Sequence, residues 1–307
     1  MPPPSDSPRA LLVPLDGSAA AESVLPAAVT LAQRLPARIS LLHTLERNAP
    51  AHVHGQPHLT TEPDAERYLQ HIAEQLEAQG VAVTWHVHEV PVGNVPLNIA
   101  AHAAEEGAEL ILLSTHEVTD PRSWLMGAVA QGVIRYAAPP VLLLRTGRHA
   151  PPAFAPGEVI VALDSEGHGE VAIPGARRMA QALGVPLHLL SVVPTAETMP
   201  GDRAAAARLL PSGANAALDA EAREVARGLS VLAGRLRDEN PGLGVVASVM
   251  RGDPVQAITT AARTRNGIIA LATHGRTGLD ALWSGSVGSR VIARAPGPFL
   301  LVHPDSA

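Results

Sequence analysis

Apolar positions along the chain follow two rhythms. Leu11–Leu15, Ile39–Leu45, Leu110–Ser114 and Val141–Leu144 are short, nearly continuous apolar runs, the pattern of strands buried on both faces. Val81–Val90 alternates, and also reads as a strand. Between these runs the spacing becomes helical. Ser23–Leu35 sets Val24, Ala28, Leu31, Ala32 and Leu35 on one side, and Asp64–Gln79 does the same with Leu69, Ile72 and Leu76. Pro63 precedes that second helix and Gly80 follows it, as start and stop signals do. Val95–Glu106 and Val129–Tyr136 complete the set, with Pro139-Pro140 ending the last helix before the final strand. Five strands interleaved with four helices predict a parallel sheet covered on both faces. Right-handed crossovers then make a doubly wound, Rossmann-like α/β domain, which binds ligands where the strand order reverses.

The same pattern occurs twice. Leu11–Ala28 aligns without gaps on Val159–Ala176, at an offset of 148 residues that places Asp16 on Asp164, Glu22 on Glu170 and Pro26 on Pro174. Further on, the stretch from Leu112 aligns with that from Ala270 at an offset of 158, so the second copy carries about ten extra residues. They are expected around Gly201–Ala216. A period of this length is domain duplication rather than a solenoid. The reading is therefore a first domain over 1–147, a Pro-rich linker over 148–157 and a second domain over 158–307.

Composition narrows the function. The 307 residues contain no cysteine, which excludes disulfides, thiol nucleophiles and Cys-ligated zinc. A net charge of -6 and 2% aromatic residues argue against nucleic acid as a partner. No apolar run approaches a membrane span, and no signal-peptide pattern opens the chain, so a soluble cytoplasmic protein is expected.

The chemistry concentrates after the fourth strand of the second copy. An apolar run ends at Leu271, Ala272-Thr273-His274-Gly275 turns away, and Gly285-Ser286-Val287 opens a helix. Gly285 permits close approach of a ligand to the backbone, and Ser286 can cap the helix. The amides of the first turn make an anion site that the helix dipole reinforces. Gly275 and its neighbours can add further amides, with Arg276 as a counter-charge. Asp164, after the first strand, faces the same crevice if the first and fourth strands are neighbours.

These residues resemble the universal stress protein family, whose nucleotide-binding members carry Gly-x2-Gly-x9-Gly-(Ser/Thr) after the fourth strand and an Asp after the first. Two registers fit. Gly275-x2-Gly278-x9-Gly288-Ser289 matches as written, but puts the last Gly-Ser inside the helix. The register ending at Gly285-Ser286 makes Gly275 the second glycine and replaces the first by Ala272, whose methyl narrows the crevice if the backbone needs positive φ or close approach. The resemblance implies ATP or a related adenine nucleotide, with Mg2+ or Mn2+. It implies that Ala162, Asp164 and Ser165 lie near the nucleoside and that Val192 or Val193 meets adenine through the main chain. Ala272, Gly275, Arg276, Gly285, Ser286 and Val287 would surround the phosphates. It also implies pairing of the two copies through the last strands, Val141–Arg145 and Phe299–His303, which would cover otherwise adhesive edges and leaves a homodimer open.

The first copy is expected to be degenerate. Glu117 stands at the position of Gly275, setting a carboxylate where phosphate would bind, and Ala128 replaces Ser286. Asp120-Pro121 adds a charge and removes an amide. One nucleotide per chain, in the second copy, follows. Rival motifs are weaker. Gly167-His168-Gly169-Glu170-Val171-Ala172 matches a dinucleotide fingerprint but lacks the acid that would bind ribose, and no Walker motif is present. His52, His54 and His58 make a His-rich loop capable of holding zinc, and His86 and His88 lie on the third strand. Neither His116 nor His274 has the partners of a triad. The leading function is thus regulatory nucleotide binding in a stress response. A structural or metal-linked interaction protein is the alternative, and a slow ATPase a third reading.

Overall fold

The computed structural model describes residues 9–47, 52–53, 56–57, 59–91, 93–116, 127–146, 154–164, 168–199, 211–273 and 286–303. The chain divides into two compact units between Phe154 and Ala155.

In the first unit the elements run β1 (Arg9–Pro14), α1 (Ala19–Glu22), α2 (Leu25–Arg34), β2 (Ala37–Glu46), β3 (His52–Val53), β4 (Gln56–Pro57), α3 (Glu62–Glu77), β5 (Val83–Val90), α4 (Val95–Glu105), β6 (Ala108–His116), α5 (Ala128–Tyr136) and β7 (Val141–Thr146). The main sheet has the order β7-β6-β1-β2-β5, and every neighbouring pair in it is parallel. The order reverses between β1 and β6, which is the switch point of a doubly wound fold. The continuous apolar runs are its centre: Leu11, Leu12, Ile39, Leu41, Leu42, Ile111, Leu112 and Leu142 are fully buried. α3 starts at the Thr61 cap with Pro63 in its first turn, and buries Leu69, Ile72 and Leu76 as the periodicity requires.

Two local features differ from the sequence reading. The helix expected over Ser23–Leu35 forms as α2, beginning at Leu25 with Pro26 in its first turn, but an additional short helix, capped by Ser18 and closed at Ser23, precedes it. Proline has no N–H to continue the earlier helix, but is well suited to a first turn. A two-residue antiparallel ladder, β3 with β4, also lies within the His-rich segment.

The second unit repeats the plan with β8 (Val159–Leu163), a 3-10 turn (His168–Ala172), α6 (Ile173–Leu183), β9 (Leu187–Val193), α7 (Pro211–Glu239), β10 (Val245–Arg251), α8 (Pro254–Arg265), β11 (Ile268–Ala272), α9 (Val287–Arg294) and β12 (Phe299–Val302). Its sheet order is β10-β9-β8-β11-β12, again parallel throughout. The main departure from the first unit is α7, 29 residues long where α3 has 16. At 1.5 Å per residue it runs about 43 Å, longer than the sheet needs. Part of the extra sequence expected around Gly201–Ala216 is therefore helix from Pro211 onward, and 200–210 lie outside the described residues. Among the described residues no helix is long and apolar enough to cross a membrane.

Candidate functional site

In the second unit β8 pairs with β9 on one side and β11 on the other, so the first and fourth strands are neighbours as the site requires. Asp164 leaves the carboxyl end of β8 and is exposed, while Ala162 just before it is half-buried. The last β8–β9 partners are Leu163 and Ser191, so Val192 and Val193 project one and two residues past that pairing. Val193 is buried, and its carbonyl accepts from the Gly252 amide, 3.1 Å away, towards β10. Successive carbonyls of a strand turn to opposite sides, so the Val192 carbonyl is directed to the β8 side.

Ala272 is the last residue of β11, half-buried and in register with Val302 of β12. Asn266 is the one non-glycine residue at positive φ among the described residues, so Ala272 sits in ordinary strand backbone and its methyl costs no strain. Thr273 then anchors the chain, its amide and hydroxyl both donating to the Val302 carbonyl at 2.8 and 3.2 Å.

Ser286 is the N-cap of α9. Its Oγ accepts from the Ser289 amide at 3.2 Å, and its carbonyl accepts from the Arg290 amide at 3.2 Å. The amides of Val287 and Gly288 open onto the helix end, where the dipole favours an anion. Val287 itself is exposed. Gly288 and Ser289 lie inside the helix, which sets aside the register that ended on them. Ser165, Gly275, Arg276, Gly285 and His274 lie outside the described residues.

A cleft of about 490 Å³ opens at the β8–β9 ends beneath α7. Asp164, Glu170, Ser191, Glu221 and Glu224 line it, together with apolar groups such as Val225. Among the described residues its lining carries four carboxylates and no basic side chain, which disfavours phosphate there. It suits an uncharged, hydrogen-bonding group. Glu221 and Glu224 come from the elongated α7, and nothing in the sequence pattern signalled that they would reach Asp164.

The first unit keeps the frame and uses it differently. Asp16 Oδ1 accepts from the Ser18 amide at 2.9 Å and the Ser18 hydroxyl at 2.6 Å, and Ser18 Oγ in turn accepts from the Ala21 amide. Gly17, at φ 86, makes that tight turn possible. Asp16 is thereby committed to ordering the start of α1. α5 begins after Gly127 with no side-chain cap, the consequence of alanine at 128. Glu117, Asp120 and Pro121 lie outside the described residues, as does His116 beyond its backbone.

The dinucleotide-like glycines have a packing explanation. A Cβ on Gly169 would come within 2.6 Å of the Ala162 carbonyl oxygen, so glycine lets the 3-10 turn lie against the end of β8. Gly167, His54 and His58 lie outside the described residues.

A pair of parallel sheets, each with a strand-order reversal and each built from one sequence repeat, defines a tandem α/β protein of the doubly wound class. Comparison with known proteins gives the family. The model of the universal stress protein family matches twice, over residues 8–145 and 157–303, and the chain belongs to that family. Universal stress protein YxiE of Bacillus subtilis is 25% identical over 147 residues, covering 44% of this chain and 97% of its own. A universal stress protein from Archaeoglobus fulgidus is similar across 96% of this chain and 98% of its own, with a TM-score of 0.68 at 19% identity. A shorter Archaeoglobus fulgidus universal stress protein, solved in complex with dAMP, is 21% identical and covers 45% of this chain and 97% of its own, with a TM-score of 0.33.

Proposed function

We propose that the second repeat binds one adenine nucleotide, ATP or a relative, and that this chain acts by binding rather than by turnover. The observation that carries the reading is the convergence at one strand-order reversal: Asp164 after β8, the Val192 carbonyl beside it, and the Ser286-capped α9 following β11. The nucleoside occupies the cleft under α7, where Asp164 and the Val192 main chain supply hydrogen-bond acceptors. The phosphates lie at the α9 end, against the Val287 and Gly288 amides, with Gly275, Arg276 and Gly285 closing the cradle. Mg2+ or Mn2+ offsets the charge between polyphosphate and the carboxylates. The first repeat binds none, because its Asp16 is tied to Ser18 and its α5 lacks the serine cap.

Calorimetric titration with MgATP tests this. One site per chain is expected, weakened more than about tenfold by Asp164→Ala and by Gly285→Val and unaffected by Glu117→Gln. Two equivalent sites, no binding, or binding indifferent to Gly285→Val would refute it.

A further inference from the structure

The third strand of the first repeat carries histidines at 86 and 88, two residues apart and so on one face of β5. α4 follows β5, and its residues 102 and 106 are one turn apart, on one face of the helix and its C-cap. The fold lays these two faces together. Donor atoms of His86, His102 and Glu106 all lie within 4.8 Å of one another. The ring of His88 stands 4.7 Å from that of His102, which in turn is 4.9 Å from that of His86.

His102 is the unusual member. Its side chain is 4% exposed, and neither ring nitrogen has a hydrogen-bond partner. A buried polar group without a partner costs stability, and natural chains retain few of them. The other groups are arranged about it. Glu106 presents Oε1 to His86 Nε2 at 3.8 Å, while its Oε2 pairs with Arg38. Glu105 stands 3.9 Å from His102 Nδ1, placed to take that N–H and leave Nε2 as the coordinating nitrogen. The Asn98 amide meets His88 Nδ1 at 3.1 Å and is itself held by Thr44. His86, with a side chain 41% exposed, gives access from solvent.

The fold itself does not ask for these residues. By strand register, Ser248 and Met250 occupy the places of His86 and His88 in the second repeat. Counting back from the left-handed residue that follows each helix, Gly107 and Asn266, Ala261 and Arg265 occupy those of His102 and Glu106. The second sheet forms without a single one of the four groups.

We infer that His86, His102 and Glu106 form a transition-metal site in the first repeat, with zinc the best-suited ion. Two imidazoles and one carboxylate are a common zinc donor set when no thiolate is available, and the fourth position is left to water or to His88. Tetrahedral bonds of about 2.0–2.1 Å bring donors to about 3.4 Å apart, so the cluster closes by roughly 1.4 Å on binding, within reach of side-chain rotation. Arg38, Glu105 and Asn98 then orient the ligands from behind.

The test uses full-length, untagged, chelator-stripped protein titrated with Zn2+ alone and, for spectroscopy, with Co2+. One tight Zn2+ per chain is expected, together with visible Co2+ absorption of tetrahedral intensity. His86→Ala and Glu106→Gln should each weaken binding by about tenfold or more and bleach the Co2+ band. Both residues are partly exposed, so their variants keep the fold, which circular dichroism verifies. His54→Ala with His58→Ala should leave the tight site unchanged. Failure to bind Zn2+ stoichiometrically, a tight site that survives His86→Ala with Glu106→Gln, or one abolished by the 54/58 pair would overturn the assignment.

Discussion

Replacing His102 by leucine should stabilise the metal-free protein. Burial, followed by the neighbouring His88 and His86, holds the imidazole below its ordinary pKa, so at pH 7 it is neutral, with one donor and one acceptor to satisfy. Both nitrogens are buried without a partner. An unmet buried group costs about 1–3 kcal/mol, whereas a similarly shaped apolar side chain carries no such cost. Leucine differs from histidine in shape, and repacking against Ile99 and Ala103 offsets up to about 1.5 kcal/mol of the gain. A net stabilisation of about 1 kcal/mol remains, or about 2–4 °C in Tm for a unit of this size. Urea unfolding in chelator, followed by Trp85 fluorescence with Trp124 and Trp283 replaced by phenylalanine, reads the first repeat alone. Zn2+ at about 100 times its Kd stabilises the histidine form by about 2.7 kcal/mol and leaves the leucine form untouched, so the order reverses. If His102→Leu is the less stable protein by 1 kcal/mol or more in chelator, the reasoning about unmet nitrogens is wrong.

Asp64 should titrate below its ordinary 3.8, because the Thr61 hydroxyl and then Arg67 hydrogen-bond its carboxylate. A lowered folded value means that its support for α3 is full above the unfolded value and lost as pH falls through the folded one. Carboxyl NMR checks this, and Thr61→Val should return the midpoint towards 3.8. Gly132→Ala should destabilise the first repeat, since the new Cβ would lie 2.5 Å from Pro96 Cβ where α5 crosses α4. A cost of about 1–3 kcal/mol from overpacking outweighs the roughly 1 kcal/mol of added helix propensity, and urea unfolding gives the sign. Gly169→Ala sets a Cβ against the Ala162 carbonyl and displaces the end of β8. ATP affinity should fall in this variant while Zn2+ binding to the first repeat is unchanged, and unaltered ATP binding would contradict the placement of the nucleoside.

The sheets were legible because a strand buried on both faces admits little besides aliphatic residues, and Leu11–Leu15 or Val141–Leu144 could be little else. The cap at Ser286 was legible for the same local reason, as a serine opening an apolar-spaced helix. What escaped were contacts set by tertiary distance. The reach of α7 over Asp164 depends on where a lengthened helix points, which periodicity does not encode. Asp16 matched Asp164 by alignment, and only the bond to Ser18 shows that it serves a helix cap. The histidine cluster did leave one trace. His102 falls among Ile99, Ala100 and Ala103 on the buried stripe of α4, a polar residue in an apolar row. The facing pair on β5 could be joined to it only once the crossover was seen.

The carboxylates under α7 also bear on kinetics. An anionic ligand nearing Asp164, Glu170, Glu221 and Glu224 feels repulsion over about a Debye length, some 8 Å at physiological ionic strength. For the proposed nucleotide, the described lining predicts association that speeds up as salt screens that field, which stopped-flow binding at two ionic strengths checks. Entry of the proposed nucleotide would then depend on ionic conditions as well as on its concentration.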